Sequence, residues 1–185
     1  MIGSHNTLSY LPPKNLWGKI TRLWNKCQDK TIEEQFNSGV DYFDIRINFY
    51  NDGKWHFVHN KVDYGVVNSN IWEYIGSTNV SIRIIYDIRS KPKYASFERQ
   101  RFIAYLYYLQ QEYNICIDSA ITYWDWKEYY TPFIEVKEYH ASVKATWYQY
   151  LLGCKWFANK YNAFAKYFNI EYGTCPNRVL LLDYV

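Results

Sequence analysis

The sequence predicts an α/β fold built on a parallel sheet, and three observations predict it. Segments with the two-residue alternation of strands take turns along the chain with segments of helical spacing. Two runs, Val80 to Arg89 and Val179 to Val185, are rich in apolar residues, as strands covered on both faces require. The 185 residues contain no low-complexity segment and no long Gly/Ser linker, so a single domain, residues 1–185, is expected.

Met1 to His5 reads as a short strand ending in a loop, Pro12-Pro13 as irregular chain, and Leu16 to Lys26 as a short helix. Thr31 is an N-cap with Glu34 three residues on, a capping box, and the helix runs through Phe36 to stop near Gly39. From Tyr42 to Tyr50 the pattern alternates. Phe43, Ile45, Ile47 and Phe49 share one side; Asp44, Arg46, Asn48 and Tyr50 share the other. Asn51-Asp52-Gly53-Lys54 signals a hairpin, with Lys54 to His59 returning. Val80 to Arg89 is the next strand, Phe97 to Tyr113 a helix, and Ile115 to Tyr123 and Phe133 to Tyr139 are strands. Thr146 to Phe168 is helical, broken near Gly153, and Val179 to Val185 is the last strand. Phe43-Asp44-Ile45-Arg46 is echoed by Tyr86-Asp87-Ile88-Arg89, too short a match to be a repeat.

Hydrophobic residues at 49% and charged residues at 21% suit a soluble globular protein. Aromatics also reach 21%, with 21 Tyr and 8 Trp. Compositional bias with half-buried tyrosines explains this most simply; contact with an interface or a sugar ring is the sharper alternative. A net charge of +3 gives weak attraction to anionic surfaces and does not point to nucleic acid. Cys27, Cys116, Cys154 and Cys175 lie far apart, which reads as reduced thiols in an intracellular protein and not as a disulfide frame or zinc site. No stretch is long and apolar enough to span a bilayer, and the first ten residues lack the features of a secretory signal. A cytoplasmic location, peripheral at membranes, is the expectation.

Two places gather chemistry. If Asp52-Gly53 form a two-residue loop, Asn51 pairs with Lys54, and the constant sum of partner numbers sets Arg46 opposite His59. Asp44 shares that face, so a carboxylate, a guanidinium and an imidazole meet there; an incidental ion pair on a solvated outer face explains the spacing equally well. The second place joins the chain's ends. In a parallel barrel the first and last strands are neighbours, and functional groups collect at their carboxyl ends. Asp183, flanked by apolar residues, needs a partner, because a buried unpaired carboxylate is costly. His5 would supply it, and a carboxylate on one ring nitrogen fixes the tautomer of the other. The plainer alternative has Asp183 capping a loop.

These residues resemble the catalytic X-domain of phosphatidylinositol-specific phospholipases C. Ile2-Gly3-Ser4-His5-Asn6-Thr7 resembles the family's opening catalytic loop; Thr31 to Val40 with Asp44-Ile45-Arg46 is similar to its helix and second strand. His59 matches its second catalytic histidine, and Leu182-Asp183-Tyr184-Val185 its closing strand. The match is firm from Ile2 to about Arg89 and again at the C-terminus; little between Lys91 and Arg178 aligns. The resemblance implies a compact TIM-type (β/α) barrel, trimmed because roughly 250 residues are usual for that fold. It implies cleavage of phosphatidylinositol to diacylglycerol and a cyclic inositol phosphate, with transient contact at a membrane surface. His5, oriented by Asp183, would be the general base, Arg46 would stabilise phosphoryl charge, and His59 would be the general acid, while Asn6, Asp44 and Arg89 would line the substrate.

Metal use divides this family. Asn6 and Asp44 stand at two of the four calcium positions of its eukaryotic members, but Arg46 and Arg89 occupy the other two, where oxygen ligands would be needed. The metal-free, bacterial-type version is therefore expected, with no cofactor. The chain departs from that version at Asn6, where metal-free relatives carry Asp, and at Asn60, where glycine is usual. Tyr139 and His140 could line the pocket, though an amphipathic strand end accounts for them more simply. Two alternatives stay open: a catalytically silent barrel that binds anionic headgroups, and a phosphodiesterase of the same superfamily with another substrate.

Overall fold

The capping box forms as the sequence requires. The Thr31 side chain accepts from the Glu34 N–H, the Glu34 carboxylate accepts from the Thr31 N–H, and helix α3 (Ile32–Asn37) follows. The computed structural model describes residues 2–88, 90–129, 135–138, 155 and 178–182. Before α3 come β1 (Ile2–Ser4), a 3-10 turn (Thr7–Tyr10), α1 (Leu16–Ile20) and α2 (Arg22–Asn25). The expected helix over Leu16–Lys26 is thus two pieces. Thr21 leaves helical geometry and bonds its hydroxyl back to the Trp17 carbonyl at 2.7 Å.

After α3 come β2 (Tyr42–Phe49), β3 (Trp55–His59), β4 (Val62–Val66), α4 (Ser69–Gly76), β5 (Ser81–Tyr86), α5 (Ala95–Tyr113), β6 (Cys116–Thr122), β7 (Lys127–Glu128), β8 (Glu135–Glu138) and β9 (Arg178–Leu182). β4, α4 and the two-residue β7 are not among the expected elements, although α4 has an Asn68 N-cap and helical apolar spacing. The helix expected over Thr146–Phe168 lies outside the described residues, apart from Lys155, as do Tyr139 and His140.

The sheet runs β7-β6-β5-β2-β1-β9-β8, with β3 and β4 branching from β2. From β6 to β8 every adjacent pair on this path is parallel, which is the expected α/β architecture. The first and last strands are neighbours, Ile2 pairing with Leu180 and Ser4 with Leu182. Among the described residues no pairing joins β7 to β8, so the sheet is not closed there.

One face of the sheet packs Phe43, Ile45, Ile47, Ile82, Ile84 and Tyr86 against Phe102, Leu106 and Leu109 of α5 and Trp72 and Ile75 of α4. The spacing of those helical residues, three or four apart, makes one apolar stripe per helix. The other face is also covered: Asp44 is 0% exposed and Arg46 only 8%. A solvated outer face is therefore not what β2 presents.

The hairpin differs from expectation by one residue. Tyr50 N–H donates to the Lys54 carbonyl, enclosing three loop residues, with Gly53 at φ 77 in the left-handed region that glycine tolerates. Partner numbers sum to 104 (Ile47 with Phe57, Asn48 with His56), so Arg46 is not set opposite His59 by register. The echo between Asp44 and Asp87 is likewise not structural. Asp44 pairs with Arg83, while Asp87 lies just beyond β5, its N–H on the Ile47 carbonyl.

Candidate functional site

Asp44 is the hub of the buried polar face. Its Oδ1 accepts from Arg83 Nε at 2.9 Å, across the β2–β5 pairing. Its Oδ2 accepts from the Asn6 N–H at 3.1 Å and lies 3.4 Å from Arg46 Nη2. Burial alone would push the Asp44 carboxyl up; Arg83 first, then Arg46 and His5, outweigh it and hold the group well below the usual carboxylate range. Asp44 is thus a fixed anion, and its job is to hold two guanidinium groups.

Arg46 in turn donates from Nη2 to His5 Nε2 at 2.9 Å. A guanidinium cannot accept, so Nε2 carries the lone pair and the ring proton sits on Nδ1. His5 is fastened by its main chain. Its N–H donates to the Leu182 carbonyl at 2.9 Å, and Gln28 Nε2 donates to both the His5 and Leu182 carbonyls. The next residue, Asn6, takes a left-handed conformation (φ 48), which Asn tolerates, and turns its amide toward Cys27 Sγ at 3.8 Å.

His59 reaches the same place by a route that register does not describe. β3 pairs with β2 only through Trp55–Phe57, and beyond that it is held by β4. Its end carries the His59 ring to a centroid distance of 6.3 Å from His5, edge to face at 86°. His59 Nδ1 lies 3.1 Å from the Asn25 carbonyl, and Asn60 N–H donates to Asp87 at 3.1 Å.

Of the residues singled out in the sequence, His5, Asn6, Asp44, Arg46 and His59 converge here; Arg89 and Asp183 lie outside the described residues. Sequence reasoning missed Arg83, Gln28, Asp87 and the Asn25 carbonyl. Arg83 left a signal, a lone charge inside the apolar run Ile82-Arg83-Ile84-Ile85. A main-chain carbonyl leaves none.

Both Asp44 oxygens face guanidinium groups, and among the described residues no cluster of three or more His, Cys, Asp or Glu is placed to ligate a divalent cation.

Beside the site, α1 and α2 turn apolar groups outward: Leu16 is 73% exposed and Leu23 61%, with Trp17, Ile20 and Trp24 also exposed. Lys14, Lys19, Arg22 and Lys26 are interspersed, and Lys61 lies over the Trp17 ring at 5.8 Å. Among the described residues no helix is long and apolar enough to cross a membrane.

Fold and site together define an α/β protein with two imidazoles and two guanidinium groups gathered beside its parallel strands, a centre suited to acid–base work on an anion. The fold is similar to that of a phosphatidylinositol-specific phospholipase C from Listeria monocytogenes, with a TM-score of 0.63 and 12% identity over 100% of this chain and 87% of that one. It is also similar to a phosphatidylinositol-specific phospholipase C from Staphylococcus aureus, with a TM-score of 0.62 and 14% identity over 100% of this chain and 85% of that one. No family model matches the chain, and no curated protein matches it in sequence.

Proposed function

We propose that the chain is a phosphodiesterase that cleaves phosphatidylinositol by attack of the inositol 2-hydroxyl on its own phosphorus. The observation that carries this reading is the 6.3 Å between the His5 and His59 rings, with Arg46 in contact with His5. Two imidazoles this close can both reach one phosphoryl group seated beside them, with a cation against its oxygens. His5 Nε2 takes the 2-hydroxyl proton and the alkoxide bonds to phosphorus. The bond from phosphorus to the glycerol oxygen breaks, and His59 protonates that oxygen. A cyclic inositol phosphate and diacylglycerol leave.

Arg46 occupies the His5 lone pair in the substrate-free molecule. A phosphoryl oxygen competes for the same guanidinium, so substrate binding itself releases the base. Asp44 acts through Arg46, being enclosed behind it. Asp183 follows Leu182, whose carbonyl accepts the His5 N–H, and is assigned to orient His5; Arg89 is assigned to the substrate phosphate. With arginines where a cation would need oxygens, the reaction runs without metal. The fold likeness to two bacterial phospholipases C and the exposed apolar, basic face of α1 and α2 support a lipid substrate met at a membrane surface. The barrel, in compact form, is the closure this reading expects.

Turnover of phosphatidylinositol vesicles with and without a chelator tests this, for wild type and His5→Ala. Chelator-resistant activity lost in the variant is the expected result. Chelator-sensitive activity overturns the metal-free chemistry. Headgroup binding without turnover replaces the enzyme by a silent binding module, the reading that an uncharged Asn6 favours.

A further inference from the structure

Resting on the reading of His59 as the acid, we propose that the main-chain carbonyl of Asn25 is the positioning group that orients His59 and sustains its charged form. Asn25 is the last residue of α2, so its carbonyl is one of those a helix leaves without an intrahelical donor. His59 Nδ1 lies 3.1 Å from that oxygen. A carbonyl only accepts, so Nδ1 must carry a proton in every protonation state of the ring. The proton that comes and goes is then on Nε2, which is the atom left to deliver it to a leaving oxygen. The neighbouring Asn6, a neutral amide, directs its Nδ2 to Cys27 Sγ at 3.8 Å.

The carbonyl is shared. Tyr64 OH donates to the same oxygen at 3.2 Å, and Cys27 Sγ lies 3.9 Å from it. Burial, and next the nearby Cys27, push the Tyr64 hydroxyl up, so it remains a donor throughout the working pH range. An oxygen accepting from two donors gives less to each, and the charged imidazole is the donor that gains most from an undivided acceptor. Among the described residues, the ionisable groups around this corner include His5 beyond β1, Arg46 of β2, Tyr64 of β4, Arg22 of α2, Cys27 beyond it, and Asp87 through the Asn60 N–H. Of these, Tyr64 and Cys27 lie against the Asn25 carbonyl.

Two measurements on the full chain test the assignment, and neither needs substrate. In imidazole nitrogen NMR, with His59 identified among the four histidines by loss of its signals in His59→Gln, the neutral ring should be the Nδ1–H tautomer. The Nε2–H tautomer would overturn the proposal. In Tyr64→Phe, which keeps the ring and removes only the competing hydroxyl, the His59 titration should move up by roughly half a pH unit. A midpoint that stays or falls overturns it, because a merely structural tyrosine would not raise it. If both NMR results appear but wild type turns over no phospholipid, the assignment of Asn25 stands and the phospholipase reading falls.

Discussion

Arg83→Met is the sharpest perturbation of the buried centre. It keeps the aliphatic stem and removes the guanidinium whose Nε donates to Asp44 Oδ1 at 2.9 Å. Asp44 is fully enclosed, so water cannot replace the lost donor. Removing one partner of a buried pair costs about 3–5 kcal/mol, since the remaining charge keeps its desolvation penalty. For a chain of this size that is a fall of roughly 6–20 °C in the unfolding midpoint. Denaturant and thermal unfolding at pH 7, followed by circular dichroism, read it directly. The pH dependence supplies a second check. The Asp44 carboxyl is depressed in the folded state, so its contribution is present above the unfolded carboxylate value and is lost as pH falls through the lower folded value. After burial, which acts the other way, Arg83 is the largest cause of that depression. The gap between wild type and variant should therefore close as the solution is acidified below about pH 4. A loss under about 1 kcal/mol at pH 7, or a gap unchanged in acid, would refute the hub. Arg83→Lys, which keeps charge but not the Nε geometry, should fall between the two.

Two further outcomes follow from other parts of the molecule. His56 lies 3.0 Å from both Asp63 and Asp52; burial lowers its pKa, but the bonds to Asp63 and Asp52 outweigh this and raise it overall. Its contribution to stability is thus fully present below about pH 6.5 and lost as pH rises through the raised folded value. With Asp52 half exposed, His56→Ala should remove on the order of 1 kcal/mol at pH 6 and less at pH 9, by urea unfolding; an equal loss at both would show that the ion pairs contribute nothing. Trp17→Ala, at an exposed position on α1, should weaken sedimentation with anionic phospholipid vesicles by about tenfold or more while leaving the unfolding midpoint unchanged. Undiminished vesicle binding would show that α1 makes no membrane contact.

Much of this site was legible because its chemistry is written in residue types that a core would not otherwise tolerate. Asp44 and Arg46 stand out between apolar neighbours, and the capping box at Thr31 and Glu34 specified a helix from purely local interactions. Arg83 was just as legible in principle, a cation inside an apolar strand. The hairpin was misread because two-residue and three-residue loops around Asp52-Gly53 satisfy the same local signal and differ only in which strand residues face each other. That choice reverses the faces, and it is made by packing. Phe57 lies in the core with Ile45 and Ile47, and His56 stacks on Tyr50 with ring centroids 4.4 Å apart.

The chain by itself determined strands β1, β2, β3, β5, β6, β8 and β9 and helices α3 and α5, the alternation that separates an apolar from a polar face on β2, and the identities of the ionisable side chains, because each is a local or periodic property. Only the tertiary structure decided that the polar face is enclosed, that Arg83 joins Arg46 in answering Asp44, and that His59 arrives beside His5 at the end of β3. Those outcomes depend on pairings between residues tens of positions apart, and on a helix end whose carbonyl belongs to every amino acid alike.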